Sequence, residues 1–125
     1  MGGNSSSARG GSDYRAAGNI EGVVIVEGTG KQHNVPFLSP DGKPRIKLNP
    51  DGSVRQMRIY DPQTGRPKMD LDYTPEPSLA GGGERIFHYH KWSPAGVRSP
   101  ALEATRELYE EYKKYLKGVE FHEKR

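Results

Sequence analysis

From residue 20 onward, apolar and polar positions alternate in short runs, and near the C-terminus the period changes to that of a helix. Residues 20–27 read IEGVVIVE. The consecutive β-branched residues Val23, Val24, Ile25 and Val26 predict a strand that is apolar on both faces, suited to burial on both sides or to an interface. Further extended stretches are predicted at Arg45–Leu48, Val54–Tyr60, 67–73 and 84–92. Turn signals separate the first of them: Ser39-Pro40-Asp41-Gly42, Asn49-Pro50-Asp51-Gly52 and Asp61-Pro62-Gln63-Thr64-Gly65. Proline presets φ at the first corner of such a turn, and glycine accepts the positive φ that closes it. Strand, tight turn and strand in succession predict an antiparallel meander. Residues 74–83 (TPEPSLAGGG) read as a long loop.

The helical period lies over 100–117. Ser99 is placed as its N-cap and Pro100 at its first position. Leu102, Thr105, Leu108, Tyr109, Tyr112 and Leu116 form one stripe, and Gly118 follows as the terminator. The predicted fold class is therefore α+β: an antiparallel β-meander of about four to five strands packed against one C-terminal amphipathic helix. Residues 1–19 carry almost no apolar side chain and read as a disordered Gly/Ser-rich tail or linker. Residues 20–121 then form a single domain, with 122–125 as a frayed end.

Composition narrows the chemistry. There is no cysteine, which excludes disulfides, thiolate metal sites and cysteine nucleophiles. No apolar run approaches the roughly 20 residues needed to span a bilayer, and no signal peptide is legible, so no membrane partner is expected. The formal net charge of +3 permits nucleic-acid contact without demanding it. Motifs for nucleotide-binding loops, serine hydrolases and zinc peptidases are absent from the sequence.

Two short constellations could carry chemistry. In Asp70-Leu71-Asp72 the carboxylates share one face of a strand while Met69, Leu71 and Tyr73 take the other; the plain expectation is a solvated strand face. In His88-Tyr89-His90 the imidazoles again share a face: either Phe87 and Tyr89 turn to the core and the histidines outward, the preferred option, or Ile86 and Trp92 turn to the core and the histidines are half buried in it. If these two strands pair antiparallel, Asp70, Asp72, His88 and His90 converge. Such a set could bind a divalent metal, or one histidine could act as a general base without metal. Tyr89 and Trp92, with the valine run, are the candidate binding residues.

The order of R-I-Y-D-P-Q-T-G-R-P-K-M-D-L-D-Y, a Pro/Gly loop, H-Y-H-K-W and a helix resembles the small C-terminal domains attached to prophage minor capsid or head-associated proteins. It is also similar to the endings of Rhs and polymorphic-type toxins. The resemblance covers residues 45–118 and rests on Asp70, Asp72, His88, His90 and Trp92. It implies a mobile-element setting, in the cytoplasm of a bacterial host or on a virion. The first expectation is a non-catalytic accessory or interaction domain with a protein partner or parent phage protein. The alternative is a nuclease-like toxin domain using His88 and His90 with Asp70 and Asp72, possible with or without a divalent metal. A small nucleic-acid-binding module is the third reading.

Overall fold

The computed structural model describes residues 14–28 and 35–122. Among them a mixed sheet runs in chain order: β1 (Tyr14–Ile20), β2 (Val23–Gly28), β3 (Arg45–Leu48), β4 (Val54–Tyr60), β5 (Pro67–Pro75), β6 (Arg85–Lys91) and β7 (Leu102–Glu103). One helix, α1 (Arg106–Tyr112), follows and tightens into a 3-10 turn at Lys113–Tyr115. The class is thus a sheet-dominated α+β fold, but the expected meander of four to five strands does not describe it. There are seven strands, and β2 runs parallel to β3.

Each departure has a local cause. Residues 14–19, read as part of a disordered tail, form β1; the rest of that tail lies outside the described residues. Glu21 and Gly22 take positive φ (50° and 85°), and the Asn19 side chain accepts from the Gly22 amide at 3.2 Å. Two such residues make a tight hairpin turn, so Ile20 pairs with Val23 rather than continuing one strand. The helix also begins later than expected. Ser99 pairs with Lys91 through both backbone and hydroxyl, and Leu102 joins β7. Thr105 is the actual N-cap, its side chain accepting from Leu108 N at 3.1 Å.

Register lines up the core. Ile25 lies beside Ile46, Ile46 beside Met57, Met57 beside Leu71 and Leu71 beside Tyr89. This row, buried but for the half-buried Tyr89, packs with Phe87 against Leu116 and Val119 and the half-buried Leu108, Tyr109 and Tyr112. Burying one such side chain contributes about 1.5–3 kcal/mol. Gly118 (φ +76°) lets the chain after the helix press onto β4, where Val54 N donates to Lys117 O at 2.9 Å; a Cβ at Gly118 would meet Ser53. Among the described residues no helix is long and apolar enough to cross a membrane.

Candidate functional site

On the sheet face opposite the helix, strand alternation projects the side chains between those of the core row. Antiparallel register sets Asp70 beside His90 and Asp72 beside His88, with Arg58 and Gln56 of β4 flanking the two carboxylates. Leu71, Phe87 and Tyr89 take the core side. The expected solvated face is corrected here: Asp70, Asp72, His88 and His90 are all buried. Pro36 and Phe37 on one side, and the segment from Trp92 to Ser99 on the other, cover part of this face.

Asp70 is fully enclosed and accepts four hydrogen bonds. Arg58 grips it at both oxygens, through Nε at 2.7 Å and Nη2 at 3.1 Å. Arg98 Nε (2.9 Å) and the Trp92 indole (3.0 Å) complete the set. A buried carboxylate held this way is compensated and has little capacity left for another ligand. Asp70 therefore positions its neighbours. Asp72 accepts from Gln56 at 3.0 Å and from Arg98 Nη2 at 2.7 Å. Burial pushes its carboxyl up, but hydrogen bonding to His90, the Arg98 charge and the Gln56 amide outweigh this and hold it below the usual carboxylate value.

The histidines share one arrangement. His88 Nδ1 lies 2.7 Å from Ile86 O, and His90 Nδ1 lies 3.0 Å from Ser99 O. A carbonyl oxygen only accepts, so each Nδ1 carries a proton and each Nε2 is the nitrogen presented to the cleft. His90 Nε2 stands 3.4 Å from Asp72 Oδ2. The Asp72 hydrogen bond raises the His90 pKa above its ordinary value; burial and the Arg98 charge oppose the rise without cancelling it. The imidazolium form of His90 is thereby favoured beside the Asp72 carboxylate. His88 Nε2 lies 4.0 Å from Asp72 and 3.9 Å from Glu76, beyond hydrogen-bond reach of either. The two rings meet edge to face, with centroids 5.3 Å apart.

Asp72, His88 and His90 line a cleft of about 550 Å³ that also receives Lys47, Arg55, Glu76 and Phe37. Four cationic side chains, Lys47, Arg55, Arg58 and Arg98, stand around it against Asp72, Glu76 and the enclosed Asp70, an excess of one positive charge that favours an anion there. Asp72, His88 and His90 each present one ligand atom, all within 4.8 Å of one another, a spacing compatible with a divalent cation. Arg98 already occupies the Asp72 oxygen that would serve, and Asp70 is no part of that cluster. A second cavity, of about 680 Å³, lies against β6 and the C-terminal segment near Phe87 and Phe121. None of the charged side chains lining it is buried.

The other candidates fare differently. Ile25 and Val26 are buried, and β2 is paired on both sides, which fits the reading of the valine run as buried rather than as an exposed binding strand. Tyr89 packs half-buried against the core. Trp92 does reach the cleft, where it braces Asp70. Sequence reasoning missed Arg58, Gln56 and Arg98. Arg58 was legible: the turn at 61–65 joins two strands it had already delimited, and pairing them brings Arg58 opposite Asp70. Arg98 arrives by the bend after Trp92, where Ser93 N donates to Val97 O and Arg98 bridges back to Trp92, and no residue pattern marks that return. Comparison of the chain with protein-family models, with curated proteins and with solved structures finds no significant match.

Proposed function

We propose that this cleft cleaves phosphodiesters, and that the domain is a nuclease of the toxin type rather than a passive interaction module. The observation that carries the reading is the paired histidine geometry: two imidazoles with Nδ1 tied to backbone carbonyls and Nε2 turned into one cationic cleft, only His90 resting against a carboxylate. Environments that separate two like groups assign them opposite roles. His88 Nε2, with no partner within hydrogen-bond distance among the neighbouring carboxylates, is the general base; the His90 imidazolium is the general acid.

RNA is the substrate that this pair suits, because it carries its own nucleophile. His88 takes the proton of the 2′-hydroxyl, the O2′–phosphorus bond forms and the phosphorus–O5′ bond breaks. His90 gives its Nε2 proton to the departing O5′. The products are a 2′,3′-cyclic phosphate and a 5′-hydroxyl. Arg98 and the other cations around the cleft offset charge on the phosphate oxygens.

The test is incubation of the full chain with RNA and with DNA, with and without chelator, beside His88→Ala and His90→Ala. The expected outcome is RNA cleavage that survives chelation and falls about 100-fold or more in either variant. Inertness of all three proteins toward both nucleic acids would sink the reading. Cleavage lost to chelator and restored by a divalent cation would replace the acid–base pair with a metal-activated nucleophile at Asp72, His88 and His90.

A further inference from the structure

Phe37 is anomalous for an aromatic side chain. It is 44% exposed, yet it lines the same cleft as His88 and His90. Its mounting is firm. The Phe37 and Trp92 rings meet edge to face, centroids 5.6 Å apart. Trp92 is itself fixed by its indole bond to buried Asp70 and by the Arg58 guanidinium, 5.1 Å from the centre of its ring. The residue before Phe37 is pinned as well. Pro36 O accepts from the Tyr60 hydroxyl at 2.6 Å and from Arg58 Nη1 at 3.3 Å. An exposed ring braced in this way has less conformational freedom to lose on binding, which lowers the entropic cost of stacking against it.

We propose that Phe37, backed by Trp92, is the stacking platform for an unpaired nucleobase of the strand whose phosphate lies at His88 and His90. The proposal rests on the cleft being a phosphodiester site and adds that its ligand is single-stranded. The cationic lining attracts the backbone without distinguishing single from double strands. An aromatic face does distinguish them, since only an unpaired base can leave its stack and lie on it. Base–aromatic stacking tolerates all bases, so the platform confers strand preference with little sequence preference.

Trp92 is the only tryptophan of the chain and touches the platform, so its fluorescence reports binding directly. The full chain is titrated with a short single-stranded oligodeoxynucleotide, which lacks the 2′-hydroxyl and remains intact. An abasic oligomer with the same number of phosphates and a duplex of the same sequence are run alongside. The base-bearing strand is expected to quench Trp92 and to bind about tenfold more tightly than the abasic one. Phe37→Ala should erase that difference, and Phe37→Tyr should keep it. Equal binding of the abasic strand, or of the duplex, would overturn the platform. Base-dependent binding by a chain that cuts nothing would uphold the platform and sink the nuclease reading. Cleavage with base-independent binding would do the reverse.

Discussion

Asp70 and Leu71 are successive residues of β5, point to opposite sides of one sheet, and are equally inaccessible at 0% and 1% exposure. They are buried by opposite means. Leu71 sits among Met57, Tyr89 and the other apolar side chains of the helix-covered face, where contact is non-directional and about any shape of the right volume will serve. Asp70 is enclosed by four directed hydrogen bonds from three side chains, and each donor depends on it in return. One face is built to be stable. The other is satisfied only as a complete network, and that requirement holds Arg58, Trp92 and Arg98 in fixed positions around the histidines.

Conservative substitutions test this contrast most severely. Leu71→Met keeps volume and should cost under about 1.5 kcal/mol. Asp70→Asn keeps shape but opposes two guanidinium groups and an indole with a neutral amide. It should cost about 3–5 kcal/mol, because it leaves buried charge uncompensated. Urea denaturation of the two variants beside the parent chain measures both. A loss below about 1 kcal/mol for Asp70→Asn would mean that water reaches the buried Arg58 freely, and the two faces would not differ in kind.

Smaller effects are expected at the Asp72–His90 contact, and they depend on pH. His90 is raised above its ordinary 6.5, so its share of stability is complete below 6.5 and is lost as pH climbs through the folded-state value. Asp72 is lowered below 3.8, so its share is complete above 3.8 and is lost as pH falls through the folded-state value. The pair therefore contributes in full between pH 3.8 and 6.5. Asp72→Asn should cost about 1.5–3 kcal/mol at pH 6, and less once pH has climbed through the folded-state His90 value, where the parent has itself lost the imidazolium. Histidine NMR resonances should show the His90 midpoint lower in the variant. A midpoint that stays put would remove Asp72 as the cause of the shift, and with it the reason for naming His90 the acid.

The same two faces explain how much the sequence told. Arg45–Leu48 and Val54–Tyr60 are strands with the bounds their turns imply, since Asn49-Pro50-Asp51-Gly52 and Asp61-Pro62-Gln63-Thr64-Gly65 close locally. Phe87 and Tyr89 lie on the core side, the preferred of the two parities that the side-chain period left open. What escaped depended on contacts between distant segments. The 14–20 strand has a polar, glycine-bearing sequence and gains its place by pairing with β2. Ser99-Pro100 carries good helix-start chemistry, yet Ser99 is taken by Lys91 in the neighbouring strand. Burial of Asp70 was illegible for the same reason. Arg58 opposite it could be read from the turn, but a carboxylate with one such neighbour reads as solvated until Arg98, 28 residues away, is known to close over it.

The least effect is expected where charges pair in water, and it sharpens the contrast from the other side. Glu110 on α1 lies 3.9 Å from Arg106 and 3.7 Å from Lys113, with about half of each side chain exposed. Opposite charges at helical spacing resemble Arg58 and Asp70 in chemistry and differ in surroundings. Here water screens the attraction, and both long partners keep rotamer freedom that pairing would cost. Glu110→Gln should change stability by under about 0.5 kcal/mol, and added salt should erase even that. Asp70→Asn should keep its large cost in the same salt, because ions cannot reach a carboxylate that is wholly enclosed. If the two substitutions responded to salt alike, the polar face would be an ordinary wet surface. The fixed placement of His88 and His90, on which their proposed chemistry depends, would then have no buried network to maintain it.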